Sequence, residues 1–359
     1  MSRFASTVRA EVRSPRALLL VLIVALVVTL AVLKPAFLNG PFVIAPLLTS
    51  IAIFTVVGLS QMVVLSVGHM NLAVGQLAGV GALVMGASFE NLGLPLVAGL
   101  ALGLLVSTGL GALAGWIIAK TGVNSFIVTL AMSFALLGLI PTLYKAWSSG
   151  QAFTVLPDGF ETVGRSTFAD VCLLGYCGTN AIPLMILPAL ACMAAVWYFY
   201  TCTRHGREVL VTGSNVRTAE LSGVPTARRI ILAHALSGLL AAGAGFLLAA
   251  STGSFTPAIG SEFMLSSFLG PILGGTLLAG GVVSIVGTAL GITLTSVIRK
   301  GLELFGVGLE ALNVLLGCIL LAALATDRLR LVFARRRPRP REESAATLAA
   351  ELEDAEAVR

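Results

Sequence analysis

The segment Arg204-His-Gly-Arg-Glu-Val-Leu-Val-Thr-Gly-Ser-Asn-Val-Arg-Thr-Ala-Glu-Leu-Ser-Gly-Val-Pro-Thr-Ala-Arg-Arg229 is a long polar island in a chain otherwise made of apolar runs. Asn215 is a good helix N-cap, Gly223 suits the position just past a C-terminus, and Pro225 is a stop two residues on. The spacing predicts a short helix over 216–222. A helix of that length rises only roughly 10 Å, too little to be stable alone or to cross a bilayer, so it must dock against something.

Outward from the island, the composition names the solvent. With 57% hydrophobic and 11% charged residues in 359, and a mean hydropathy of +0.97, the apolar surface exceeds what one soluble core can bury. The chain reads as an all-α, polytopic integral membrane protein. The net charge of +6 does not mark a nucleic-acid binder, because the basic residues sit at the termini and in the island, with no basic face interleaved with aromatics. They read as topology signals.

Residues 1–16 carry Arg3, Arg9, Arg13 and Arg16 against Glu11, and an uncharged run to Leu33 follows without a clean cleavage site. This predicts an uncleaved first span with a cytoplasmic N-terminus. Further spans are expected near 42–66, 72–88, 94–119, 125–143, 181–201, 230–250, 263–279, 282–298 and 310–326, about ten in all. The transmembrane body is 17–326, and the tail 327–359, opening with seven arginines, is a cytoplasmic stop-transfer anchor. By parity 144–180 is an extracytoplasmic loop with room for a small hairpin, and 204–229, with five arginines against two glutamates, is cytoplasmic in accord with its charge. Arg299 and Lys300 fall outside, against that rule. Cys172 and Cys177 in the outer loop are either joined in an oxidising compartment or free.

Two stretches interrupt the apolar pattern. Ser66-Val-Gly-His-Met-Asn-Leu-Ala-Val-Gly-Gln76 is either a plain turn between spans or a break lining a cavity, since irregular backbone at membrane depth must be buried in protein or wetted. Leu269-Gly-Pro-Ile-Leu-Gly-Gly-Thr-Leu-Leu-Ala-Gly-Gly281 has six glycines and prolines in thirteen residues, so no straight helix runs through it. Small pairs such as Gly75/Gly79, Gly111/Gly115 and Gly287/Gly291 predict close helix contacts.

Three stretches together carry a resemblance. Gly206-Arg207 through Gly213-Ser-Asn215, Ala219-Glu-Leu-Ser-Gly223-Val224 and Ser237 to Gly245 resemble the cytoplasmic coupling region of bacterial ATP-binding-cassette importer permeases of the ribose and simple-sugar type. Val67 to Gly75 resembles a glycine-isoleucine-aspartate-leucine-serine-valine-glycine motif of that family, and Leu273 to Gly281 with Gly287 its second glycine-rich motif. Asn71 stands where the sugar permeases usually have aspartate, and His69-Met70 replaces glycine-isoleucine. Branched-chain amino-acid permeases are the near relatives.

The resemblance implies a multi-pass protein of the bacterial inner membrane. It implies a translocation path for a small polar solute such as a monosaccharide or polyol. The implied partners are ABC ATPase subunits, a second copy or a sister permease, and an extracytoplasmic solute-binding protein. Coupling to the ATPase falls on Arg207, Asn215, Val216, Arg217, Ala219, Glu220, Leu221 and Gly223. Gln61, His69, Asn71 and Gln76 are the uncharged polar candidates for the path.

The chain itself is expected to be no enzyme. None of Lys34, Lys120, Lys145 and Lys300 follows a glycine, so there is no P-loop, and the three histidines have no ligand or triad spacing. No cofactor, metal or nucleic acid is expected. An ion-coupled transporter is the alternative of another class, but the spans are nearly free of acids and leave His234 as its sole coupling group.

Overall fold

The computed structural model describes residues 15–148, 152–167 and 182–308, with a few positions between 311 and 322. One compact unit covers Met1–Leu316, and the second, Gly317–Arg359, lies almost wholly outside the described residues. The helices are α1 (Pro15–Leu33), α2 (Ala45–Leu65), α3 (Val74–Glu90), α4 (Leu96–Thr121), α5 (Ser125–Trp147) and α6 (Phe160–Arg165). They continue as α7 (Ile186–Cys202), α8 (Arg204–Ser214), α9 (Val216–Leu221), α10 (Thr226–Thr252), α11 (Phe263–Leu273) and α12 (Ile285–Leu304). Between α1 and α2 the chain makes a 3₁₀ turn, Pro35–Leu38, and a π turn, Gly40–Ile44.

Among the described residues, five helical stretches are long and apolar enough to cross a membrane: Gly40–Leu65, α4, α5, α10 and α12, with α7 plus α8 a sixth if that pair, bent by 77°, is one span. The ten-span expectation divides accordingly. Helix α3 has 17 residues, and α11 stops at Leu273 instead of reaching 279. At 1.5 Å per residue α11 is roughly 16 Å long, half a hydrocarbon core, because Gly274 and Gly275 end it. The tenth expected span and the Cys172–Cys177 pair lie largely or wholly outside the described residues.

The core is α10 against α4, α2 and α3. Glycine lets these backbones meet: a Cβ on Gly111 would strike the His234 carbonyl, one on Gly245 the Ala78 carbonyl, and one on Gly75 the Gly260 carbonyl. At one end of the bundle Phe153 and Phe255 exchange backbone hydrogen bonds of 2.9 and 3.0 Å, and Phe160 packs on Phe246 and Phe255 with centroids 5.5 and 5.3 Å apart. Within 144–180 the described residues hold the short α6, while 149–151 and 168–180 lie outside them, and α5 runs on past the expected 143 to bury Tyr144. At the bundle's periphery the large apolar side chains Leu105, Trp116, Phe134 and Leu137 of α4 and α5 are exposed, as lipid-facing residues are.

Candidate functional site

Helix α2 ends where Gly68 takes φ +75°, and the chain does not re-enter helix until Val74. The backbone N–H groups from Met70 to Ala73 all find partners. Met70 N–H donates to Ser125 Oγ at 3.1 Å and Leu72 N–H to Thr129 Oγ1 at 3.2 Å, both on α5. Ala73 N–H donates to the side-chain oxygen of Asn71 at 3.0 Å. Gln61, in the amide orientation that satisfies both its ends, donates to the Asn71 carbonyl at 2.9 Å and accepts from its N–H at 3.2 Å. Asn71 and Ala73 are buried in protein, while Gly68 is exposed and His69 and Met70 are half-buried, so the irregular backbone is partly packed and partly open, the two conditions under which an apolar solvent tolerates it.

From the break a hydrogen-bonded knot reaches α10. Asn71 Nδ2 donates to Ser237 Oγ at 2.9 Å, and Ser60 Oγ lies 2.9 Å from the Ser237 carbonyl and 3.0 Å from its hydroxyl. Ser60, Gln61, Asn71 and Ser237 are all at most 2% exposed. His69 Nδ1 and His234 Nε2 are 3.4 Å apart, with His234 fully buried and its Nδ1 without a partner in the described structure. Of the four expected path residues the fold thus brings Gln61, His69 and Asn71 together around one turn. Gln76, half-buried in the first turn of α3, makes none of these bonds. Ser60, Ser237, Ser125 and Thr129 were not foreseen, since hydroxyls are frequent in apolar runs and their partners are far away in the sequence.

The second break, between α11 and α12, meets the first. Gly281 N–H donates to the Ser66 carbonyl at 2.9 Å. A Cβ on Gly280 would lie 2.6 Å from Gly68 N and 2.7 Å from the Gly213 carbonyl, while one on Gly213 would overlap the Ser66 carbonyl and come within 2.7 Å of Gly281 N. The three stretches that carried the resemblance are thus packed backbone to backbone at one point.

Gly213 belongs to α8, a helix absent from the sequence expectation, which placed a single short helix in 204–229. Arg204 Nε donates to Glu208 Oε1 at 2.7 Å across one turn, and Arg229 Nε lies 2.7 Å from Glu208 Oε2, an ion pair whose N–H is not aligned for a hydrogen bond. The Arg204 hydrogen bond first, and the attraction of Arg229 after it, hold the Glu208 carboxyl below the usual glutamate range, against a burial effect that raises it. Glu208 and Arg229 are 11% and 12% exposed, so α8 is pinned to the start of α10.

Helix α9 follows with the predicted caps. Asn215 Oδ1 accepts from Thr218 N–H at 3.0 Å, and Gly223 takes φ +77°. Ala219 is fully buried, whereas Leu221 is 84% exposed and Val216 44%. Arg217 is exposed, Arg207 Nη1 donates to the Thr201 carbonyl at 3.1 Å, and Glu220 accepts from Thr226 Oγ1 at 2.9 Å. A cleft of about 630 Å³ runs alongside, walled by Val216 and Glu220 of α9, by Gly68 and His69 of the first break, and by Asn124 and Ser125. A larger cleft of about 730 Å³ opens at the other end of α2 and α10, between Thr49 and Phe54 on one and Ser251 on the other. Among the described residues no group of His, Cys, Asp and Glu could hold a metal ion.

The sequence profile of the branched-chain amino acid transport system / permease component family matches residues 43–324. An autoinducer 2 import system permease protein LsrD of Yersinia enterocolitica is 30% identical over 74% of this chain and 77% of its own length. The LsrD of Photorhabdus laumondii is 28% identical over 75% and 78%, and the fructose import permease protein FrcC of Rhizobium meliloti 28% over 88% and 86%. No solved structure matches the chain. A match over most of the length, on a bundle whose two breaks and polar island meet at Ser66, Gly213 and Gly281, assigns the chain to the branched-chain amino acid transport system / permease component family.

Proposed function

We propose that the chain is the membrane-spanning permease of an ATP-binding-cassette importer for a monosaccharide-type solute in the bacterial inner membrane, with 204–229 and both termini on the cytoplasmic side. The observation that carries this is the exposed helix α9, anchored through Ala219 and following directly on α8, which the Glu208–Arg229 ion pair pins to the start of α10. A partner ATPase gripping Val216, Arg217, Glu220 and Leu221 pushes on α8 as well. Gly213 carries the displacement to Ser66 and Gly281, where both breaks yield together. Such rocking of packed elements about a hinge is how access alternates in transporters. The fructose and autoinducer 2 permeases among the relatives favour a sugar-like solute over a branched-chain amino acid, and the uncharged knot of Gln61, Asn71, Ser60 and Ser237 suits a neutral one.

Co-reconstitution with the cognate ATPase and binding protein in liposomes tests the reading. ATP-dependent uptake of D-fructose or D-ribose and not of L-leucine is expected. Uptake driven by an ion gradient through this chain alone overturns it, and uptake of L-leucine only returns the substrate class to the amino-acid branch.

A further inference from the structure

The 730 Å³ cleft holds a set of groups that the path candidates do not include. Among the described residues its charged side chains are Glu262 and Arg299, and Arg299 Nη1 donates to Glu262 Oε2 at 3.1 Å. Paired with each other, these two groups offer a neutral ligand both donors and acceptors. Arg299 also stacks over the Phe54 ring at 5.3 Å, with Phe263 edge-on to that ring at 5.7 Å. Thr49, Ser50, Ser251 and Ser261 add hydroxyls to the wall. A concave space of this size, with an aromatic floor and few convergent polar groups, is of the kind that takes small molecules. A lipid-facing groove would not carry four hydroxyls and an ion pair.

Phe54 and Arg299 also line a separate crevice of about 10 Å³ between Ser266, Thr295 and Ser296, room for about one water molecule. Deeper along α2 lies the buried knot of Ser60 and Gln61.

We propose that this cleft is the solute site of the permease on its extracytoplasmic side, taking a neutral polyhydroxylated molecule of monosaccharide size. The guanidinium of Arg299 has N–H groups beyond those given to Glu262, and the carboxylate of Glu262 has acceptor sites beyond those it gives to Arg299. A vicinal diol accepts from one and donates to the other, while its C–H face lies against Phe54. The hydroxyls of Ser266, Thr295 and Ser296 are the next partners once the crevice widens. Arg299 is thereby a ligand group in the cleft, which explains a cation on the side where the charge rule disfavours one. The inference rests on the importer reading and adds the residues that hold its cargo.

The test uses the full chain in nanodiscs with its own cysteines replaced and Ser261→Cys introduced, labelled by 2-sulfonatoethyl methanethiosulfonate. A panel of D-fructose, D-ribose and D-xylose is added at millimolar concentration. At least one sugar is expected to slow labelling by about threefold or more, the change that two-thirds occupancy gives by mass action. Labelling of Asn124→Cys in the opposite cleft should stay unchanged. In the co-reconstituted importer Glu262→Gln and Arg299→Gln should each lower uptake by about tenfold, the scale of one lost hydrogen bond to a charged group. If Arg299→Gln fails to give a monodisperse protein, Glu262→Gln and the labelling carry the decision. Unaltered labelling with every sugar, in an importer that takes one of them up, overturns the site and leaves the permease reading intact. Protection without ATP-dependent uptake supports the site and removes the importer reading instead.

Discussion

Gly281 N–H donates to the carbonyl oxygen of Ser66 at 2.9 Å, so the break after α2 and the break after α11 share a hydrogen bond. Gly213 of α8 lies against both, too close for any side chain. Two backbone discontinuities and the polar island therefore form one joint, and a force on the island reaches both breaks without a flexible linker.

The joint tolerates no added atom. In Gly213→Ala the new Cβ meets backbone, the Ser66 carbonyl and Gly281 N, and neither can rotate away as a flexible side chain could. Overpacking of this kind costs about 1–3 kcal/mol, so the variant should show a lower thermal midpoint and less monodisperse protein after extraction. Wild-type stability in Gly213→Ala would mean that the breaks are not in contact.

The knot between α2 and α10 should show a measurable coupling. Ser60 and Ser237 are within 3.0 Å and fully buried, and Ser237 also receives Asn71 Nδ2. Hydrogen bonds between membrane helices average about 0.6 kcal/mol in double-mutant cycles, with about 1.7 kcal/mol as the largest. A Ser60→Ala, Ser237→Ala cycle followed by unfolding in bicelles should fall in that range, and Asn71→Ala should share in it. Strict additivity of the two serine variants would deny the contact.

How much of this was legible follows from the range of each signal. The caps of α9, Asn215 and Gly223, act within three or four residues and read directly from the sequence, as did the two glycine-rich interruptions. Helix α8 did not, because Gly206 and Gly213 weaken the local helix preference while the contacts that require them, with the Phe199 and Ser66 carbonyls, are invisible in one dimension. Arg299 looked like a breach of the charge rule because its partners, Glu262 and Phe54, come from two other elements. The placement of the breaks was readable; their meeting was not.

Helix α9 divides into a face the fold uses and a face it leaves free. Ala219 is fully buried and Leu221 is 84% exposed. Leu221→Asp and Glu220→Arg should leave membrane abundance near that of the wild type but uncouple ATP hydrolysis from uptake in the reconstituted importer. Ala219→Leu should do the reverse and lower abundance, because overpacking a filled contact costs about 1–3 kcal/mol. Normal coupling in both Leu221→Asp and Glu220→Arg would remove α9 as the point of drive.

The clamp between α8 and α10 makes stability depend on pH in a stated direction. Glu208 is held below the usual glutamate range, chiefly by Arg204 and then by Arg229. A carboxyl depressed in the folded state binds fewer protons there than when unfolded, so its contribution is complete above the ordinary glutamate range and is lost as pH falls through the lowered value. Glu208→Gln keeps the shape but leaves Arg229, only 12% exposed, without its counter-charge. The thermal midpoint of the variant should lie below that of the wild type at neutral pH, and the gap should close on acidification as the wild-type carboxyl takes up its proton. A gap that persisted unchanged at the acid end would mean that the side chain acts through packing and not through its charge.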